Sequence, residues 1–271
     1  MIVNILPLFF LIFSVFFAGN LAAEPPTGPG TTPPPGMVKI PAGEFIMGSD
    51  ERDGIIGIDV GVDEVPRHTV SLPDYYIDRF EITNKEYEAF VGATGHRVPA
   101  EPRFSKFYQW VDGHPSPGQE KYPVVYVDNN DAEAFCAWRG KRLPAEEEWE
   151  KAGRGTDGRK WPWGNQYDPQ KCNAEESRLN WTWPVGSHPE GESPYGVMDM
   201  CGNVAEWTSS WYKAYPGSKL DRPSFGETLK VVRGGAYSLP YMFSRVTHRT
   251  YASPPYKRHR SIGFRCALDA R

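Results

Sequence analysis

Apolar and polar residues alternate over several short stretches in the first part of the chain. The alternation covers Val38–Ile40, Glu44–Gly48 and His68–Leu72. A period of two is typical of a half-buried strand, in which successive side chains point to opposite faces. The sequence therefore predicts three short strands before residue 73.

Three later stretches carry helix start signals followed by apolar residues three or four positions apart. Thr83 and Glu86 form a capping box, in which hydroxyl and carboxylate bind backbone N–H groups of the first turn. Asp128 suits the cap of a second helix, and Pro144 precedes three glutamates that suit the positive end of a third. Beyond this third helix the chain is rich in Trp, Pro and Gly without a clear period, which predicts loops.

The N-terminal segment indicates export. Residues 1–23 are apolar, carry no charged side chain and end in two alanines, which predicts a signal peptide. The alternative is an uncleaved membrane anchor, because Ile2–Gly19 is just long enough to span a bilayer as a helix. Residues 24–37 are rich in Pro and Gly and predict an extended linker, so residues 38–271 form the expected domain. Both alternatives predict a secreted or periplasmic domain, free or anchored.

The composition narrows the class of protein. With 271 residues, 39% hydrophobic and 14% aromatic, the chain is neither disordered nor coiled coil and can build one large core. A net charge of −4 gives no overall attraction to nucleic acid. The sequence has no Gly-x-Ser-x-Gly, phosphate-binding or dinucleotide-binding motif. Four cysteines in an exported chain predict disulfides, and three pairings are open.

Nine short strings resemble the family of formylglycine-generating enzymes, or sulfatase-modifying factors. They occur in the family's order and extend over nearly the whole predicted domain. The strings are Ile40–Gly48, Glu81–Asn84, Tyr122–Val125, Gly140–Pro144, Glu148–Glu150, Pro162–Asn165, Gly202–Thr208, Arg233–Gly235 and Gly263–Arg265. The resemblance implies a single compact α+β domain with sparse regular secondary structure, related to the C-type lectin fold.

The resemblance also implies copper-dependent oxidation, but this sequence lacks the two cysteines that the reaction requires. The family's oxidases hold copper(I) on two cysteine thiolates in the segment after Arg-Gly-Gly, and use oxygen to convert a sulfatase cysteine into formylglycine. Leu239 and Ser244 occupy these two positions here. Neither side chain can replace a thiolate as a copper(I) ligand. We therefore expect no bound copper and no copper-dependent oxidation.

The four cysteines fit structural positions of the family instead. The resemblance implies a disulfide between Cys136, in the second predicted helix, and Cys266, in the Gly-Phe-Arg-Cys string. This assignment leaves Cys172 and Cys201 as the second predicted pair.

A calcium site is also implied by the resemblance, through one side-chain oxygen, two backbone carbonyls and a glutamate. Such an oxygen-rich set suits a hard cation, and its predicted role is structural. A weaker second site would start at Asn173 and Ala174. The ligands of the first site are Asp199, Gly202, Val204 and Glu206.

The C-terminal part of the chain is strongly basic. Residues 230–265 contain eight lysines and arginines, no acidic residue and several aromatic residues. In the family this segment lines the ligand cleft, so it predicts a wall that binds an anion, peptide or sugar. The alternative is that its arginines pair internally with acidic residues elsewhere. The predicted wall consists of Trp207, Tyr237, Arg245, Arg249 and Tyr251.

Three functions from different classes remain open. The first is an exported, copper-free family member that binds a peptide, small molecule or partner protein in this cleft. The second is an enzyme of the family with other chemistry, such as a maturation factor. The third, a true formylglycine-generating oxidase, would need the missing thiolates. We expect no nucleic-acid partner, and a membrane only if the N-terminal segment stays uncleaved.

Overall fold

The computed structural model describes residues 32–50, 61–99 and 110–270. The predicted signal peptide and most of the predicted linker lie outside these residues. The helices are α1 (Asn84–Thr94), α2 (Asn129–Trp138) and α3 (Glu146–Arg154). The strands are β1 (Met37–Ile40), β2 (Gly43–Met47), β3 (His68–Leu72), β4 (Tyr75–Asp78), β5 (Trp110–Val111), β6 (His114–Pro115), β7 (Ala205–Trp211), β8 (Lys230–Arg233), β9 (Arg249–Ser253), β10 (Ile262–Gly263) and β11 (Ala267–Asp269).

The three strands predicted from alternation are confirmed as β1, β2 and β3. Strands β2 and β3 form an antiparallel pair in which Phe45 lies opposite Val70. Strand β1 pairs with β4, and β4 pairs on its other side with the C-terminal strand β11. The two ends of the domain are therefore joined in one three-stranded antiparallel sheet.

The three predicted helices are also confirmed, with one shifted start. Thr83 caps α1 through a complete capping box with Glu86, and Asp128 caps α2 in the same way. Helix α3 begins at Glu146 rather than at Pro144, because Ala145 is the capping residue. The backbone N–H of Ala145 is bound by the carboxylate of Glu148, 2.8 Å away.

The centre of the fold is a four-stranded sheet with the order β10-β7-β8-β9, which the sequence pattern did not predict. Strand β10 runs parallel to β7, and the other neighbours are antiparallel. The first four residues of β7 and all four of β8 are buried. Because both faces of these strands are covered, their sequences show no alternation.

Helices α1 and α2 pack against this sheet through an aromatic core. Tyr87 of α1 stacks on Phe135 of α2 with ring centroids 5.9 Å apart, and Phe264 packs edge-on against both rings. A disulfide between Cys136 and Cys266 closes the same core, with Cα atoms 5.6 Å apart. The C-terminal end is thus fastened to α2 beside the sheet.

Within the residues that the structure describes, no helix combines the length and apolar character that a membrane crossing requires.

Candidate functional site

The predicted calcium ligands lie around the start of β7. Asp199, Gly202 and Val204 belong to the loop that leads into the strand, and Glu206 is its second residue. Asp199 has a left-handed φ of 59°, and its Oδ2 accepts a hydrogen bond of 2.7 Å from the Gly186 N–H. The loop therefore holds this carboxylate in a fixed position beside the sheet.

Glu206 is fully buried and already has strong partners. Its carboxylate forms a two-pronged pair with Arg265, with both N···O distances at 2.7 Å. The indole N–H of Trp149 donates a third hydrogen bond of 2.8 Å to Oε2. A carboxylate can accept about four hydrogen bonds, so Oε1 keeps capacity for one further partner.

The structure adds a third carboxylate, Glu81, that the sequence did not single out. Glu81 is buried and accepts hydrogen bonds from Asn203 Nδ2 at 2.6 Å and from the Val204 N–H at 3.1 Å. Burial raises its pKa well above the usual range, and the negative charges of Asp199 and Glu206 raise it further. Burial also raises the pKa of Asp199.

The charge balance of this cluster fits a divalent cation. If the three carboxylates were all ionised, Arg265 would neutralise one of them and two negative charges would remain. An uncompensated buried charge is costly, and a hard cation with oxygen ligands would remove the excess. Among the described residues no three carboxylate, imidazole or thiol groups form a ready metal cage. The carbonyls of Gly202 and Val204 would therefore have to complete the shell.

The oxygen atoms of the weaker second site serve the loop itself. Asn173 Oδ1 accepts a hydrogen bond of 2.9 Å from the Ser177 hydroxyl, and its backbone carbonyl accepts one of 2.7 Å from the Asn203 N–H. The Ala174 carbonyl accepts a bond from the Ser177 N–H at 3.0 Å. This second site stays a prediction.

The cysteines form one disulfide rather than two. Cys136 is bonded to Cys266, as the resemblance implied. The predicted Cys172–Cys201 bond is corrected, because both residues are buried free thiols. A parallel bridge between Asn173 and Gly202 places the two thiols side by side. The Cys172 Sγ also contacts the Tyr167 hydroxyl at 3.9 Å.

Leu239 and Ser244, which the resemblance assigns to the copper-ligand positions, lie in the segment that follows β8. The Leu239 carbonyl accepts a hydrogen bond of 3.0 Å from the Glu175 N–H. Ser244 is fully buried, and its hydroxyl has no hydrogen-bond partner among the described residues. It packs on Gly235, where φ is 71° and an added Cβ would lie 2.0 Å from the Ser244 Oγ. A glycine is therefore required at this contact.

The predicted ligand wall needs a larger correction. Trp207 is a core residue without exposed surface, and its indole N–H binds the Val127 carbonyl at 3.1 Å. Arg245 is buried and forks onto Glu64, with both N···O distances at 2.9 Å. Neither side chain is available to a ligand, because each is enclosed by its own partners.

Arg249 is also committed to an internal partner. Its guanidinium binds Glu146 through two hydrogen bonds of 2.8 Å and lies over the rings of Tyr212 and Tyr215. The alternative that these arginines pair with acidic residues elsewhere in the chain is therefore correct for Arg245 and Arg249. Arg265 follows the same rule through Glu206.

What remains of the wall is a group that we call the tyrosine face. Tyr237 contacts Trp181 with ring centroids 5.3 Å apart, and its hydroxyl has no hydrogen-bond partner among the described residues. Burial raises the pKa of Tyr237 to about 12, although the positive charge of Arg260 acts in the opposite direction. No ion pair to Arg260 occurs in the described part of the chain. The face consists of Trp181, Tyr237, Tyr251, His259 and Arg260.

The sequence does not predict the contact between Glu64 and His248. The Nδ1–H of His248 donates a hydrogen bond of 2.9 Å to Glu64, which also binds Arg245. Glu64 and His248 are 184 residues apart, and no carboxylate neighbours His248 in the sequence. A local pattern could not reveal this contact, because it exists only in the folded chain.

Comparison with known proteins agrees with this architecture. The family model for the sulfatase-modifying factor enzyme 1-like domain matches residues 22–270 of this sequence. The formylglycine-generating enzyme of Streptomyces coelicolor is 34% identical over 92% of this chain and 94% of its own length. The inactive C-alpha-formylglycine-generating enzyme 2 of Mus musculus is 33% identical over 87% of this chain and 86% of its own length.

A solved structure gives the same result for the fold. The structure of PvdO from Pseudomonas aeruginosa is 31% identical, with a TM-score of 0.70 over 86% of this chain and 94% of that one. Fold and sequence strings together define a single α+β domain of the formylglycine-generating-enzyme type. The chain belongs to the family of sulfatase-modifying factor enzyme 1-like domains.

Proposed function

We propose that this chain is an exported, calcium-stabilised member of its family that binds a ligand and does not carry out copper-dependent oxidation. The observation that carries the proposal is the chemistry of the segment after β8. Leucine and serine stand at positions 239 and 244, where the resemblance places two copper thiolates. Copper(I) prefers soft sulfur ligands, and neither an alkyl group nor a hydroxyl meets that preference.

The cysteines of the chain do not supply the missing ligands in that segment. Cys136 and Cys266 are consumed in a disulfide. Cys172 and Cys201 are buried free thiols against which Tyr241 of this segment packs, and burial raises the pKa of Cys201 well above its usual range, which disfavours the thiolate that copper(I) binds. A relative that is 33% identical carries a name that describes it as inactive. Loss of the oxidase reaction within a kept fold is therefore consistent with the family, in which fold and activity are separate properties.

The expected binding surface is the tyrosine face. It offers the guanidinium of Arg260 beside the phenol groups of Tyr237 and Tyr251, and burial raises the pKa of both phenols. An arginine without an internal carboxylate next to aromatic rings suits an anionic group on a peptide or small molecule. The calcium cluster around Asp199 would hold the loop that leads into β7, and its role would be structural.

The oxidase part of the proposal is tested with copper(I) and a cysteine-containing sulfatase peptide in oxygenated buffer. We expect no aldehyde product and no copper retained against a copper(I) chelator. The double variant Leu239→Cys/Ser244→Cys is the matched comparison and should retain copper if these positions correspond to the family's ligands. Aldehyde formation by the unmodified chain would refute the proposal.

The binding part is tested by thermal shift with panels of anionic peptides and small molecules. A ligand that raises the melting temperature of the parent should have a much smaller effect on Tyr251→Ala and on Arg260→Gln. The exposed variant Lys121→Gln is the control and should respond like the parent. Ligand shifts that are equal in all four proteins would place binding elsewhere.

A second candidate is an enzyme with other chemistry, and the Glu64–His248 pair is the observation that favours it. A histidine whose Nδ1–H is held by a buried carboxylate is the arrangement of many general bases. This candidate predicts turnover that is lost in His248→Gln without loss of ligand binding at the tyrosine face. No turnover of any ligand found by the panel would remove it.

A further inference from the structure

A cavity of about 260 Å³ lies between the antiparallel strands β2 and β3, the first turn of α3, and the end of β7 with the segment that follows it. Its polar lining consists of His68, Glu146, Glu147, Ser210, Lys213 and Arg249, and its aromatic walls are Trp211 and Tyr215. The Ser210 hydroxyl already accepts a hydrogen bond of 2.9 Å from the Glu146 N–H. Side chains of Met47 and Val70 add apolar surface. The cavity is separate from both the calcium cluster and the tyrosine face.

The positive charges of this cavity are already neutralised by partners. Arg249 is bound by Glu146 through two hydrogen bonds of 2.8 Å. Lys213 is bound by Glu227 with an N···O distance of 2.7 Å. Neither cation is therefore a strong site for an anion.

Glu147 is the lining charge that lacks a partner. Within the described residues no other residue pairs with its carboxylate or donates a hydrogen bond to it. Burial raises its pKa, and the neighbouring charges of Glu146 and Glu148 raise it further, whereas its own backbone N–H and the charge of Arg233 act in the opposite direction. Glu146 and Glu148 are themselves paired with Arg249 and Arg142, so the excess charge at the cavity is that of Glu147. A half-buried carboxylate without a partner is stabilised by a cation that enters the cavity.

His68 adds a second hydrogen-bond acceptor. Its Nδ1 lies 2.8 Å from the Pro66 carbonyl, which can only accept, so the proton of the neutral ring is on Nδ1. The Nε2 atom is then a lone-pair acceptor. The ring packs edge-on against Tyr215, with centroids 5.0 Å apart. Counting only the residues that the structure describes, Glu147 and the His68 Nε2 are the lining groups without partners, and both are acceptors.

We propose that this cavity binds a cationic nitrogen group on an alkyl stem, the ammonium or guanidinium of a basic side chain, with Glu147 as its counter-ion. The N–H groups would meet the two acceptors, and the methylene stem would pack against Met47, Val70 and the aromatic walls. The volume suits one extended side chain rather than a larger ligand. The proposal is independent of the ligand class at the tyrosine face.

Titration calorimetry with Nα-acetyl-arginine methylamide tests this inference on the full chain. We expect saturable binding at one site, with at least tenfold weaker binding of the uncharged Nα-acetyl-citrulline methylamide. The variant Glu147→Gln should also weaken binding at least tenfold, whereas the exposed control Glu190→Gln should bind like the parent. Butylamine is the second probe, because it carries an ammonium on an alkyl stem without peptide groups. Tighter binding of the arginine probe than of butylamine would indicate a peptide side chain, and the reverse order would indicate a free amine.

Both variants should fold, because Glu147 has no internal partner to lose, and equal melting temperatures would verify this. Equal binding of the arginine and citrulline probes would overturn the proposal. Undiminished binding by Glu147→Gln, or no binding of either cationic probe at millimolar concentration, would overturn it as well. Failure of ligand binding at the tyrosine face would leave this result unchanged, since none of its residues lines the cavity.

Discussion

Glu64 shows how one buried carboxylate can organise distant parts of the chain. It has no exposed surface and binds Arg245 through two hydrogen bonds and His248 through a third. Burial alone would raise its pKa, but the hydrogen bond from His248 and the charge of Arg245 outweigh that effect and lower it to about 2. The carboxylate is therefore ionised over the whole range in which the protein would function.

This pKa makes the stability of the domain depend on pH in a defined direction. A carboxyl with a lowered pKa in the folded state stabilises the fold above its unfolded pKa, near 4.5, and loses this contribution as the pH falls towards 2. The difference corresponds to about 3 kcal/mol. We expect Glu64→Gln to lower the free energy of unfolding by about this amount at pH 7.

Urea unfolding of parent and variant between pH 7 and pH 2.5 measures the effect. The difference in free energy should be constant above about pH 5 and shrink below it. The exposed variant Glu190→Gln provides the reference for a carboxylate without buried partners. A difference between parent and Glu64→Gln that did not change with pH would contradict the assignment.

The number of free thiols in the chain can be counted by alkylation, and we expect two, Cys172 and Cys201. Burial raises the pKa of the Cys201 thiol well above its usual range, and the contact with Cys172 raises it further. Both thiols should therefore react slowly with iodoacetamide in the native protein. In denaturant without reductant we expect two labels per chain by mass spectrometry, and four after reduction. Zero labels without reductant would mean that the second disulfide does form.

At the scale of elements, local signals predicted the outer parts of the fold and missed its centre. The caps of α1 and α2 are local, because Thr83 and Asp128 act on backbone groups within one turn. Strands β7 and β8 carry no local signal, since their buried faces depend on residues far away in sequence. The sequence predicts metal ligands around Glu206 but not the strand to which this residue belongs.

The cap of α1 gives a prediction for a single element. Replacing Thr83 with Ala removes the hydroxyl that accepts the Glu86 N–H and donates to the Glu86 carboxylate at 2.8 Å. We expect a loss of about 1 kcal/mol in the free energy of unfolding, measured by urea denaturation. The exposed Thr228→Ala should change stability by less than about 0.5 kcal/mol. Equal effects of the two substitutions would show that the capping box contributes nothing.

At the scale of the molecule, the basic C-terminal segment and the more acidic remainder are joined by ion pairs. Arg245, Arg249 and Arg265 each meet a carboxylate from an earlier part of the chain. The sequence revealed the excess of positive charge but not its partners, because sequence separations from 59 to 181 residues give no local pattern. For this reason Arg245 and Arg249 of the predicted ligand wall are not available to a ligand, whereas Tyr237 and Tyr251 stay in the proposed binding surface.

Removal of calcium tests whether a bound cation balances the negative charges of Glu81, Asp199 and Glu206. The measured quantity is the melting temperature of the whole domain. At a calcium concentration one hundred times the dissociation constant, binding to the folded state alone contributes about 2.7 kcal/mol. For a domain of this size we expect a chelator to lower the melting temperature by about 5–10 °C. Asp199→Asn should melt at the same temperature with and without chelator, since the amide cannot replace the charged ligand. The exposed Asp221→Asn should keep the parent's response. A parent whose melting temperature does not change with chelator has no bound calcium, and protons on Glu81 and Asp199 would then balance the cluster.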